Sequence, residues 1–101
     1  MRPIHIANLD KARPVVILTR EIVRPHMARV TVAPITSTIK GLSTEVPVTT
    51  SNGLEAESVI SCDNIVTVPT DAIGRQIGFL LPQQEILLAD AIRNAFDLEG
   101  A

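Results

Sequence analysis

The apolar residues of this chain fall in short β-branched runs punctuated by prolines at positions 3, 14, 25, 34, 47, 69 and 82, often about ten residues apart. Runs of that length with turn signals between them predict a small β barrel or sandwich. The predicted strands are Pro3 to Asn8, Pro14 to Arg20, Val30 to Ile35, Glu45 to Thr49, Ser58 to Cys62, Ile65 to Val68 and Arg75 to Leu80. Asn52-Gly53 supplies the positive φ of a tight reversal, so the strands on either side are expected to form a hairpin. After residue 81 the period changes. Leu88, Ile92 and Phe96 recur four apart behind Pro82, which suits a first helical position, and Glu85, which suits the positive helix end. The spacing predicts one helix over 82–97, laid across an open face of the sheet. Its start lacks a Ser, Thr or Asp cap, because Leu81 has no side-chain acceptor for the orphan N–H groups. Gly74 and Gly78 do not match a phosphate loop and read as bulges or points of close approach.

Length and composition narrow the class. At 101 residues the chain reads as one domain, 1–101, small enough that a second copy would add materially to its core. With 46% hydrophobic and 20% charged residues it is globular and too apolar for disorder. Its apolar runs are a few residues long, so neither a membrane span nor a signal peptide is expected and the cytoplasm is the default location. The lone Cys62 cannot close an internal disulfide, and with only His5 and His26 elsewhere it offers no zinc cluster; it reads as a small buried hydrophobe. The net charge of −2 hides an asymmetry: residues 1–40 hold seven Lys/Arg against two Asp/Glu, and residues 41–101 hold two against nine. A basic half attracts a polyanion or an acidic peptide, unless the two halves neutralise each other within the fold.

Two stretches could carry chemistry. In Lys11-Ala12-Arg13-Pro14-Val15-Val16-Ile17-Leu18 two cations and a proline run into four branched apolar residues. Pro14 biases Arg13 toward extended geometry, which places a guanidinium at the entrance of a strand buried on both faces. Such an arginine can grip a phosphate through its planar donor fork, or be a solvated rim residue. In Val30-Thr31-Val32-Ala33-Pro34-Ile35-Thr36-Ser37-Thr38 a strand ends in three hydroxyls and leads into Ile39-Lys40-Gly41. Thr36 there faces a mobile loop and can donate to a phosphoryl oxygen, with Lys40 adding positive charge, or the hydroxyls can simply satisfy turn backbone.

Together these stretches, with Ser58-Val59-Ile60-Ser61-Cys62-Asp63-Asn64-Ile65-Val66-Thr67-Val68 and a terminal helix after Gly78-Phe79-Leu80, resemble the MazF/PemK-like toxins, endoribonucleases of bacterial toxin–antitoxin pairs. The likeness spans nearly the whole chain. It implies a mainly β (α+β) fold, an SH3-like barrel of short antiparallel strands with a C-terminal helix, that dimerises and takes single-stranded RNA in a groove. It implies Arg13 and Thr36 as the principal catalytic residues. Asp63 lies where some relatives carry a catalytic aspartate, although the arginine two places before it in those relatives is Ser61 here. Lys11, Ser37 and Lys40 are the expected RNA contacts. The RNA 2′-OH is its own nucleophile, so no metal or cofactor is expected, and Asp63, Asp10 and His5 are the candidates for the base. A cognate antitoxin peptide, acidic and partly apolar, is the expected inhibitor. The first loop, Leu9-Asp10-Lys11-Ala12, is shorter than is common in the family. With two Phe and no Trp or Tyr, base stacking on aromatic platforms is largely unavailable. Two other readings keep a similar fold without RNA chemistry: a CcdB-like gyrase poison, and a plain SH3-like peptide-binding module.

Overall fold

A computed structural model of the chain describes residues 1–99, so the last two residues of the predicted domain lie outside the described part. Seven strands precede one helix: β1 (Pro3–Asn8), β2 (Ala12–Ile17), β3 (Arg29–Thr36), β4 (Glu45–Val48), β5 (Ser58–Ser61), β6 (Val66–Pro69), β7 (Ile73–Phe79) and α1 (Pro82–Ala95). The strands pair antiparallel in the order β4-β5-β3-β2-β1-β7, and β6 lies beside β3 along the same edge as β5. This is the strongly curled, open sheet of an SH3-like barrel. The expected hairpin across Asn52-Gly53 is present as the β4–β5 pair.

The second strand departs from its predicted span at both ends. It begins at Ala12 and stops at Ile17, because Leu18 N–H donates to Thr31 O (2.8 Å) and the Thr19 hydroxyl accepts from Thr31 N–H (2.8 Å), a side chain standing in for the ladder. Residues Glu21–His26 then form a 3-10 turn, with Pro25 inside it, that the apolar pattern did not predict. The helix ends at Ala95, short of the predicted 97.

The buried residues form two clusters on opposite faces of β2 and β3. Val16, Ala33 and Ile35 face a core completed by Ile60, Val46, Val48, Leu80, Leu88 and Ala91, whereas Val15, Ile17, Val30 and Val32 face a second core with Ala7 and Val68. Alternation along one strand thus feeds two cores, which is why the run from Val15 is continuously apolar. Cys62 is buried in the first core, as expected.

The sheet is held shut between the β4–β5 turn and β7 by backbone contact instead of a ladder. Gly53 adopts φ +91°, and a Cβ there would stand 2.0 Å from Ile77 O; a Cβ on Gly78 would stand 1.8 Å from Asn52 O. No residue with a side chain fits either place. Asn52, buried, donates to Phe79 O (2.9 Å) and to Gln84 Oε1 (2.7 Å), and its Oδ1 accepts from Gln84 Nε2 (2.9 Å) and Thr49 N (3.0 Å). Gln84 Oε1 also accepts from Leu81 N–H (2.9 Å), so the helix start without a capping residue is served by a side chain from its own first turn.

Candidate active site

The turn between β1 and β2 contains only Leu9-Asp10-Lys11, closed by Leu9 N–H donating to Lys11 O (3.1 Å). So short a turn leaves the Asp10 carboxylate beside Arg13, the second residue of β2. Arg13 Nε donates to Asp10 Oδ1 (2.8 Å) and Nη2 to Oδ2 (3.1 Å). This side-on pair uses two of the five guanidinium N–H groups and leaves the Nη1/Nη2 end free for a second anion. The Arg13 guanidinium in turn holds the Asp10 carboxyl down at about 2, chiefly through the hydrogen bond and then through charge.

Thr36 ends β3. Val15 pairs with Pro34 across the β2–β3 ladder, and two residues further along each strand stand Arg13 and Thr36. Thr36 Oγ1 accepts from Thr38 N–H (3.1 Å), which fixes the oxygen and leaves its hydrogen available to a ligand. Both residues line two surface grooves, of about 610 and 570 Å³, and so form the crest between them.

Asp63 reaches the first groove through a break in pairing. Thr36 pairs with Val59, but Val32, four residues earlier in β3, pairs with Val66, seven later; the three extra residues form the 3-10 turn Cys62–Asn64. Cys62 points into the core, and Asp63 is exposed at the groove, its Oδ2 accepting from the Thr44 hydroxyl (2.6 Å). Burial, and then the Asp63 charge, push the Cys62 thiol up to about 11.

Of the residues singled out by sequence, Arg13, Thr36, Asp63 and Lys40 line the first groove, and Arg13, Thr36, Lys11 and Ser37 line the second. Two of the candidate bases fare worse. Asp10 is engaged by Arg13 and has lost most of its proton affinity, and His5 lines neither groove, its Nδ1 lying 2.9 Å from Gly74 O. The loop after Thr36 is tied down: the Glu45 carboxylate accepts from the N–H groups of Lys40 (3.2 Å), Gly41 (2.8 Å) and Leu42 (3.1 Å), with Gly41 at φ +77°. Sequence reading missed Glu45 and Thr44, and the only signal was a glycine four residues before an acid. Of the three ion pairs among the described residues, only Arg2–Glu85 (3.3 Å) joins the basic and acidic halves, so no groove cation is ion-paired with the second half, although its acids Glu45 and Asp63 line the first groove and Glu55 the second. Among the described residues no group of three or more His, Cys, Asp or Glu side chains gathers to hold a metal.

Comparison with known proteins gives the chain's family. The chain is 68% identical over 99 residues to "Endoribonuclease MazF3" of Mycobacterium tuberculosis, covering 98% of this chain and 96% of that protein. It is 38% identical over 71 residues to "Probable endoribonuclease MazF2" of the same species, covering 69% and 70%. Its structure superposes on "Mycobacterium tuberculosis toxin MazF-mt6" with a TM-score of 0.96 at 67% identity, covering 98% and 100%. The same fold, at 24% identity and a TM-score of 0.86, occurs in "Endoribonuclease in complex with its cognate antitoxin from Mycobacterial species", covering 98% and 95%. The family described as "PemK-like, MazF-like toxin of type II toxin-antitoxin system" matches residues 4–96, and the chain with its Arg13–Thr36 crest belongs to that family.

Proposed function

We propose that this toxin is a metal-independent endoribonuclease that cuts single-stranded RNA at selected sequences by attack of the 2′-OH on the adjacent phosphorus. The observation that carries the reading is the braced Arg13, with its outer fork free, standing opposite Thr36 between two grooves. A strand laid over the crest presents one phosphate to these donors and drops its neighbouring nucleotides into the grooves on either side.

In the reaction a base removes the 2′-OH proton, the O2′–P bond forms, the P–O5′ bond breaks, and O5′ leaves with a proton as a 5′-OH. The other end is a 2′,3′-cyclic phosphate. Negative charge develops on the phosphoryl oxygens, where Arg13 and the Thr36 hydroxyl stabilise it. Arg13 itself stays protonated throughout. Asp63 is the carboxylate left to act as base: Thr44 occupies Oδ2 and orients the group, and Oδ1 remains open. Because the nucleophile is part of the substrate and the charge is met by Arg13, the chemistry calls for no metal. DNA lacks the 2′-OH and is resistant. Selectivity comes from polar side chains reading splayed bases, Asn64 in one groove and Lys11, Ser37, Glu55 and Arg75 in the other, while Lys40 meets a backbone phosphate.

A cognate antitoxin, as in the solved relative's complex, would inhibit by laying an acidic, partly apolar segment into this groove. A second copy of the chain is the expected partner in solution, and the exposed Phe79, Leu81, Ile86 and Leu87 give it apolar surface to bury. No helix among the described residues is long and apolar enough to cross a membrane.

The deciding experiment incubates an unstructured RNA and a matched DNA with purified protein in EDTA, beside Arg13→Ala. RNA cut to a cyclic-phosphate end, intact DNA and a mutant slowed about 10²-fold or more are the expected results. Intact RNA over several sequences, or cutting that requires added metal, would refute the reading.

A further inference from the structure

The groove that would hold RNA contains a carboxylate in what is, for a polyanion, the wrong place. Glu45 lines the 610 Å³ groove with Lys40 and Arg13, and no cation pairs with it among the described residues. Its charge is spent elsewhere: all three of the N–H groups of Lys40, Gly41 and Leu42 point at Oε1, at 3.2, 2.8 and 3.1 Å. Gly41, at φ +77° with nothing within 4 Å of its would-be Cβ, gives the backbone the reversal that turns successive N–H groups inward. Apart from the Thr38 N–H bond to Thr36, the other ties of the chain between β3 and β4 lie C-terminal to Lys40. Glu45 N–H donates to Leu42 O (3.1 Å), Ser43 O accepts from Asn94 Nδ2 (3.2 Å), and Thr44 is held by its hydroxyl on Asp63 Oδ2 (2.6 Å) and by Cys62 N–H on its carbonyl (3.0 Å). Lys40 rides on this loop, exposed and with no side-chain partner.

We infer that Glu45 is a positioning residue for RNA binding: its carboxylate folds the Lys40–Leu42 loop so that the Lys40 ammonium faces the groove. The inference rests on the RNA-cleaving reading above and adds a residue to it. Two opposed effects of removing Glu45 make it testable by sign. By charge alone, deleting an anion from a polyanion groove tightens RNA binding. By the tether, deleting the acceptor frees Lys40 and weakens binding, with the loss of one phosphate neutralisation.

Glu45→Ala and Glu45→Gln separate the two, because the glutamine keeps Oε1, the acceptor of all three N–H groups, and gives up the charge with the longer second contact of Lys40 N–H to Oε2 (3.3 Å). The test measures binding of a single-stranded RNA carrying a 2′-deoxy residue at the cut site, over a range of salt, together with amide hydrogen exchange of residues 38–44 without RNA. Expected for Glu45→Ala are faster exchange in the loop, several-fold weaker binding and a salt slope reduced by about 0.7. Glu45→Gln should keep the loop protected and bind at least as tightly as wild type. In a Lys40→Ala background, Glu45→Ala should cost little more, since both remove the same contact. Unchanged exchange in Glu45→Ala, tighter binding by that variant, or full additivity with Lys40→Ala would overturn the inference. Steady-state cleavage of the all-ribose RNA separates this failure from that of the parent reading: there, the wild type itself leaves RNA whole, whereas here it cuts and Glu45→Ala matches it in KM.

Discussion

Replacing Gly78 by alanine tests how the barrel is held shut. The new methyl would stand 1.8 Å from Asn52 O and 2.6 Å from its carbonyl carbon, roughly half of an ordinary contact, and all of the obstructing atoms are backbone. The β4–β5 turn must therefore back away from β7, and the Asn52 bonds to Phe79 O and Gln84 are stretched as it moves. Overpacking of this kind costs about 1–3 kcal/mol. A buried amide left short of partners adds about 1–3 kcal/mol. Gly78→Ala should then lose about 2–6 kcal/mol, a large part of the ~5–15 kcal/mol that holds such a domain, and, at about 4–8 °C per kcal/mol, melt at least ~8 °C lower. The internal control is Gly41→Ala, which meets nothing within 4 Å and bears only the left-handed φ of +77°, a cost of about 1–2 kcal/mol. Gly53→Ala combines both penalties and should be at least as damaging as Gly78→Ala. Urea and thermal melts at one fixed protein concentration measure the series. If Gly78→Ala melted with Gly41→Ala, the seam would not be the rigid backbone contact described.

Asn52→Ala should cost about 2–4 kcal/mol, because it strips the partners of Phe79 O and Gln84 in a buried position, read from the same melts. Asp10→Asn should slow RNA cleavage by loosening Arg13. The stabilisation that Asp10 gains from Arg13 is fully present above the ordinary carboxylate range and is lost as pH falls toward 2, since the folded-state value is depressed. The melting difference between wild type and Asp10→Asn should accordingly be flat from pH 8 to 5, shrink as pH falls toward 2 and vanish only below it; a difference that grew on acidification would contradict the pairing. The Cys62 thiol, raised to about 11, should resist alkylation at pH 8 in the native state and react only on unfolding, and its effect on stability is a loss as pH rises from about 9 toward 11. Rapid labelling of the folded protein would refute its burial.

Much of the fold was legible because the strands follow local rules. The run from Val15 announces a strand covered on both faces, and Asn52-Gly53 announces a reversal. The ends were less legible where a side chain replaces a ladder bond, as Thr19 does at the close of β2. The 3-10 turn Glu21–His26 has no buried residue and hence no apolar signature. In the site, Arg13 and Thr36 could be read from Pro14 and from the strand-end hydroxyls, together with the resemblance. Asp10 was visible as an acid near Arg13 but not as its brace, which depends on a three-residue turn that only the register reveals. Glu45 was signalled only by Gly41 four residues before it, because its partners are backbone groups, which every residue carries.

The seam at Asn52, Gly78 and Gln84 also sets an order in time. Arg13 and Thr36 belong to the first 36 residues of the chain, yet the seam that closes the barrel around them waits for Gly78 to reach Asn52 and is pinned only when Gln84 follows. Gln84 lies 48 residues after Thr36, an interval of about 2–10 s at ~5–20 residues synthesised per second. A ribosome making this toxin thus holds both donor residues for seconds before the seam beneath their groove is pinned, and a chain cut short before the helix carries the residues without that pin.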